Sequence, residues 1–416
     1  MPAPNGPNRG LPSRRQFLQR AAILAAGAPA LGAFLAACSK SGPSSSSPTL
    51  TIAAPSNPVT WPIADDNKPI ADGLAPEKGA TLKLYSYADY VSPDAVKSFE
   101  EKYGAKVEIS TFNDGGEALT KLRSGVDYDI YNANYTEISR LVNGGLLRPL
   151  NHSYVPNIEN VWPTFTNPWY DQEWRYTVPY TIYTTGIGWR NDQVPEDIGA
   201  LKNPYDSFWD PKFTGKTAVL DDWHTTMAMV LLRQGITDVN TSSEADLKMV
   251  GEQLNAMVKA TSPKVTITAY NDLPAGQLGL AQMWSGDIIN AQNYLPEGTG
   301  PEVLRYWFPS DGKGMVDNDM LVTLRGGKNP VLAHLFLNHM LEPDVAMQNY
   351  SAIGYQPPQN SIKPESLVEQ GFIPENLSAA IVDPEWFNAG YRVLELEPDN
   401  DAAWQNVWRA FKAGGA

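Results

Sequence analysis

From Leu82 onward the apolar positions switch between two spacings, and the switching marks a succession of strands and helices. Leu82 and Leu84 alternate with polar neighbours, as in a half-buried strand; Pro93 then opens a helix whose Val96, Phe99 and Tyr103 share one face before Gly104 ends it. Val107 and Ile109 begin a second strand, and Leu119 and Leu122 mark a helix stopped by Gly125. A third strand is predicted over 128–131, followed by a helix carrying Ile138 and Leu141 and closed by Gly144 and Gly145. The pattern returns later, with a strand over 217–220, a helix over 225–234 and a longer helical stripe of Leu247, Val250, Leu254 and Met257. A strand over 279–284 turns into a helix at Ser285-Gly286-Asp287, and a strand over 320–324 precedes a helix from Pro330 to Leu341. Trp404, Val407, Trp408 and Phe411 form a last amphipathic face. Alternating β and α units predict an α/β fold with parallel, wound sheets, whose ligand loops lie at the strand C-terminal ends. A chain of 416 residues is long for one core, so two lobes are expected.

The N-terminus reads differently. Ser13-Arg14-Arg15-Gln16-Phe17-Leu18-Gln19-Arg20 precedes an Ala/Leu/Gly run from Ala21 to Ala37, the pattern of a twin-arginine export signal over 1–37. Leu35-Ala36-Ala37-Cys38 follows, resembling the bacterial lipoprotein box in which the cysteine takes a diacylglycerol. Cys38 is the only cysteine, which excludes an internal disulfide. Residues 38–80 are rich in Ser, Pro and Asp without sustained periodicity and read as a lipidated cysteine with a flexible tether.

Charge narrows the partner. Removing Arg9, Arg14, Arg15 and Arg20 with the signal leaves 28 basic residues against 46 acidic ones, a net charge of -18. That disfavours nucleic acid and suits a cationic solute. The familiar catalytic motifs are missing: there is no Gly-x-Ser-x-Gly, no Gly-x-x-x-x-Gly-Lys-Ser/Thr and no His-Glu-x-x-His. His334 and His339 are five apart on a predicted helix, off the shared face that two metal ligands need, so they read as packing or surface residues. No enzyme activity, cofactor or metal is expected.

What remains is a set of acids and aromatics at predicted strand ends: Tyr87, Asp89 and Tyr90; Asn134 and Tyr135; Asp221 and Asp222; Trp284 to Asp287; Asp317 and Asp319. Facing carboxylates raise one another's pKa until a polycation relieves them. Aromatic faces attract ammonium groups and cover methylene spacers. Asp222 and Asp287 also suit helix N-caps, and Tyr87, Tyr90 and Tyr135 suit a core.

On these residues the chain resembles the spermidine/putrescine-binding receptors of bacterial ABC importers. The resemblance lies in Leu84-Tyr85-Ser86-Tyr87-Ala88-Asp89-Tyr90-Val91-Ser92-Pro93, the spacing from Lys121-Leu122 to Tyr128-Asp129-Ile130, Val178-Pro179-Tyr180 with Thr185-Gly186-Ile187-Gly188, Met283-Trp284-Ser285-Gly286-Asp287, and Ile353-Gly354-Tyr355-Gln356-Pro357. It implies a two-lobed periplasmic-binding-protein fold (type II) with lobes joined by crossing strands, one lobe from 81–186 plus 319–364 and the other from 187–318 plus 365–416. It further implies ligand contacts from Tyr87, Asp89, Tyr90, Asn134, Asp222, Trp284, Asp287, Asp319 and Tyr355. Tyr87 stands where the family has Trp, Thr225 where it has a second acid, and Asp317 where it has an aromatic. The expected protein is a monomeric receptor, lipid-anchored at the outer face of the cytoplasmic membrane, that captures a small cationic polyamine for a membrane permease. A sugar or other organic solute stacked on Trp284 is the alternative ligand; an exported hydrolase using Asp222 and Asp287 is the alternative class.

Overall fold

Two strands, β4 (Thr177–Arg190) and β9 (Met315–Thr323), hold the architecture together. The computed structural model describes residues 51–414; the export signal, Cys38 and the first part of the expected tether lie outside them. On one side of the pair stand β1 (Thr81–Tyr87), β2 (Lys106–Phe112) and β3 (Ile130–Asn134). On the other stand β5 (Thr217–Leu220), β6 (Lys264–Thr266), β7 (Leu280–Trp284) and β8 (Leu304–Trp307). The sheet order is β2-β1-β3-β9-β4-β7-β5-β6, with β8 also on β4. β1 pairs in parallel with β2 and β3, and β5 with β6 and β7, whereas β4, β8 and β9 pair antiparallel. The sheet is therefore mixed, and the expectation of parallel sheets holds only within each half.

β4 crosses between the halves: Thr177 to Thr185 pairs with β9, and Thr185 to Trp189 with β7. All its residues are buried, so the apolar/polar alternation that reveals a half-exposed strand is absent from its sequence. The strand expected over 320–324 starts five residues earlier, at Met315, which moves Asp317 and Asp319 from a loop into the middle of β9. The third strand is likewise displaced, from 128–131 to Ile130–Asn134, and the helix expected over 225–234 is Trp223–Arg233.

Helices cover both halves, as the apolar faces predict. Pro93–Tyr103 is capped by Ser92 and ends at Gly104, whose φ of 63° is the left-handed conformation that glycine adopts without steric cost. Its Phe99 packs in the core of the first half with Leu82, Leu84 and Ile130. Beyond the crossing strands a separate cluster forms, in which Glu244–Thr261 and the C-terminal helix Pro398–Lys412 bury Leu247, Val250, Leu254, Met257, Trp404, Trp408 and Phe411. His334 and His339 are packed within the helix Pro330–Met340, where His334 Nδ1 lies 2.6 Å from Pro330 O and His339 Nε2 2.9 Å from Ser98 Oγ.

The reading of residues 38–80 as a tether needs correction over 51–80. Trp61 is 1% exposed, packs with Tyr85, Phe112 and Tyr131, and donates its indole N–H to Tyr170 O at 2.7 Å. Asn67 Nδ2 donates to Leu147 O at 2.8 Å. Glu77 accepts from the backbone N–H groups of Val331 and Leu332, which the helix start at Pro330 leaves without intrahelical partners. Polar composition concealed a strap, because one tryptophan and a few buried hydrogen bonds are enough to seat it. No helix among the described residues is long and apolar enough to cross a membrane.

Candidate functional site

A cleft of about 510 Å³ opens between the halves, and the nine residues expected at a ligand site all line it. Each arrives by a different route. β1 delivers Tyr87 at its end, and the following loop carries Asp89, whose φ of 53° turns the chain so that Tyr90 points inward. Asn134 ends β3 and caps the helix Tyr135–Asn143 by accepting from Thr136 N at 3.0 Å. Its other amide atom faces the cleft: Asn134 Nδ2 donates to Asp317 Oδ1 at 2.8 Å and to Asp319 Oδ1 at 3.1 Å.

Asp319 is 3% exposed and accepts three hydrogen bonds: from Asn134, from Tyr90 Oη at 2.7 Å and from Tyr183 Oη at 3.3 Å. Thr181 Oγ1 supports Tyr90 from behind at 2.7 Å. Burial raises the Asp319 carboxyl to about 6 against these donors, which pull it down. Its neighbour Asp317 is pushed well above the usual carboxylate range, first by burial and then by Asp319 itself.

Across the cleft, Trp284 closes β7 and stands at the N-terminus of the helix Ser285–Asn290, with Asp287 in its first turn. Asp287 is 5% exposed; its Oδ1 accepts from Tyr355 Oη at 2.7 Å, while its buried Oδ2 has no hydrogen-bond partner among the described residues. Burial raises this carboxyl to about 7. The close approach of Tyr355 depends on Gly286, because a Cβ there would meet the ring at 2.3 Å. Asp222 does cap its helix, accepting from Thr225 N at 3.0 Å, and lines the cleft as well. Asp89 is exposed, with Tyr270 Oη 3.4 Å from its Oδ2.

The aromatics form one edge-to-face chain. Tyr87 meets Tyr90 at 5.7 Å, Tyr90 meets Tyr355 at 4.8 Å, Tyr355 meets Tyr183 at 5.4 Å, and Tyr183 meets Trp284 at 6.2 Å between ring centroids. Core packing and a ligand-facing role were alternatives in the sequence; here the buried Tyr90 and Tyr355 pack their rings and give their hydroxyls to the acids. Tyr135, buried under the cap, is the exception and lies outside the cleft lining.

The sequence left out several lining residues. Asp317 stands among the acids at predicted strand ends but is left out of the ligand set because the resembled family has an aromatic at its position, although the Asp317-Asn318-Asp319 alternation is itself a strand signal: Asn318 points away and donates to Tyr170 Oη at 3.1 Å. Tyr183 was hidden inside the fully buried β4. A second missed group is Arg140, which ion-pairs with Glu395 at 3.0 Å and Asp401 at 3.9 Å across the cleft. Its partners lie some 250 residues away in the chain, so no local motif announces them. No ion pair among the described residues involves Asp287, Asp317 or Asp319. Nor does any cluster of His, Cys, Asp and Glu among them have the arrangement of a metal site.

Comparison with known proteins identifies the family and the fold. The family model of bacterial extracellular solute-binding proteins matches residues 94–371. The spermidine/putrescine-binding periplasmic protein of Salmonella typhimurium is 25% identical over 341 residues, covering 80% of this chain and 92% of that protein. The putrescine-binding periplasmic protein PotF of Escherichia coli is 26% identical over 359 residues, covering 83% and 95%. Among solved structures, one from Listeria monocytogenes assigned to a spermidine/putrescine ABC transporter superposes with a TM-score of 0.68 at 26% identity, covering 80% of this chain and 98% of the other. These likenesses establish the two-lobed periplasmic-binding fold.

Proposed function

The chain belongs to the bacterial extracellular solute-binding proteins, and from that membership we propose that it captures a polyamine of the putrescine and spermidine class and delivers it to the permease of an ABC importer. One observation carries the reading: the buried carboxylates of Asp287 and Asp319 and the half-buried one of Asp317 converge on an aromatic-walled cleft, and no basic side chain among the described residues forms an ion pair with them. Left alone they repel and hold protons; an ammonium between them restores their charge and takes up the free Oδ2 of Asp287. Tyr87 and Trp284 offer faces to the methylene segments, where a cation over a ring gains roughly 0.5 to 2 kcal/mol. Relatives named for spermidine and putrescine binding support the ligand class. The protein binds and releases its ligand unchanged.

In this reading the lobes are 81–186 plus 319–364 and 187–318 plus 365–416, with β4 and β9 as the hinge. Closing over the ligand excludes water and strengthens each charge pair. Export follows the twin-arginine signal over 1–37, Cys38 carries the lipid, and the stretch from Cys38 to Thr51 joins the lipid to the strap. The protein acts as a monomer at the outer face of the cytoplasmic membrane.

Calorimetric titration of the full chain with putrescine, spermidine, spermine, choline and maltose, at low and moderate salt, tests this. An amine should bind saturably near micromolar Kd, about -8.2 kcal/mol, and more weakly as salt rises. Saturable binding of maltose alone, indifferent to salt, would transfer the cleft to a neutral solute.

A further inference from the structure

We propose that Asp317 is the specificity residue of this cleft, adding a seat for a third ammonium so that a linear triamine is preferred over a diamine. The inference rests on the polyamine reading and deepens it. Asp319 is already engaged by three donors from its own side of the cleft, Tyr90, Asn134 and Tyr183. Asp317, two residues before it on the same face of β9, receives Asn134 Nδ2 and Asn318 N, and both fall on Oδ1. A single amide bridging two carboxylates neutralises neither. Arg392 is half-buried and feels the field of Asp317, but its guanidinium donates to the carbonyl oxygens of Gly390 and Phe387 and forms no ion pair with the acid.

The other acids line the same cleft. Asp287 lies toward the Tyr355 and Tyr270 end, where the field of Asp89 is also felt. Asp317 stands beside Asp319 on β9, opposite Tyr183 where Asp319 is opposite Thr181, and Asp222 lines the same cleft. Asp287 and Asp319 accommodate two ammonium groups, one from each half, and Asp317, joined to Asp319 by the Asn134 amide, adds a third acid to the same cleft. The Oδ2 of Asp287, buried without a hydrogen-bond partner among the described residues, shows that the set is laid out for cations absent from the chain itself. Opposite Asp317 stands Tyr183 across the β4 register, and the Tyr135 hydroxyl lies behind it; neither brings positive charge.

The test compares spermidine with putrescine by calorimetry on the full chain and on Asp317→Asn, with Asp317→Glu as the charge-keeping control and thermal unfolding as the folding check. The wild-type chain should bind the triamine at least about tenfold more tightly, Asp317→Asn should remove about that factor for the triamine while changing the diamine by less than about threefold, and Asp317→Glu should restore the preference. Equal losses for both amines, or an unchanged ratio, overturn the specificity role and leave the polyamine reading standing. Silence of the folded wild-type chain toward both amines overturns the polyamine reading and this proposal with it.

Discussion

Asp319 and Asp287 face the same cleft at nearly equal burial, 3% and 5% exposed, yet their surroundings differ. Asp319 sits on a crossing strand and accepts hydrogen bonds from Tyr90, Asn134 and Tyr183; Asp287 starts a helix and accepts one, from Tyr355. Burial raises both carboxyls, to about 6 and about 7 respectively, and the greater number of donors holds Asp319 the lower of the two. One wall is thus organised by the protein alone, whereas the other keeps an oxygen without a donor. The second wall is where a ligand's ammonium supplies what the chain does not.

The strongest way to break this contrast is to remove the two charges separately. Asp319→Asn should weaken polyamine binding by at least about tenfold and by more than Asp287→Asn does, because three fixed donors then point at a neutral amide. The Asp287 substitution should have a second sign: with the uncompensated carboxylate gone, the ligand-free chain should gain about 1 kcal/mol or more at pH 8 in denaturant unfolding. Equal affinity losses and no gain in stability would mean that the walls do not differ.

A smaller effect follows from pH. An unfolded aspartate titrates near its ordinary 3.8, while burial pushes Asp319 and Asp287 in the folded chain up to about 6 and about 7. Between these limits the unfolded state binds fewer protons than the folded one. Their contribution to stability is therefore full below about pH 4 and is lost as pH rises through 6 and 7. Unfolding of the ligand-free chain followed from pH 4 to 8 should show this decline, and saturating polyamine should flatten it. The smallest effect should come from Arg140→Gln. Arg140 is a cation lining the same cleft, paired with Glu395 instead of the central acids. If local hydrogen bonds set the difference between the walls, this change should alter amine affinity by less than about threefold.

Much of the site could be read from residue types, but not its organisation. Asp222 and Asn134 were legible as loop residues, and both cap helices while lining the cleft. That Asn134 also bridges Asp317 and Asp319 depends on the register of β3 against β9, which pairs it with Asp319. Trp61 lay in a Ser/Pro-rich stretch whose composition argued for a tether, since burial of one side chain leaves no periodic trace. The Arg140 ion pairs were invisible for the opposite reason: each partner is ordinary in its own segment.

Taken alone, the chain determined its α/β alternation, the helix start at Pro93 and the stops at Gly104 and Gly144, and the supply of acids and aromatics near the ends of successive elements. These are local matters, written in spacing and backbone preference over a few residues. Only the tertiary structure decided that Asp317 and Asp319 share one face of a crossing strand, that Asp287 keeps a free oxygen, and that residues 51–80 are seated. Each depends on which distant groups meet and whether water is excluded between them, and a carboxylate's donors and field come from neighbours in space.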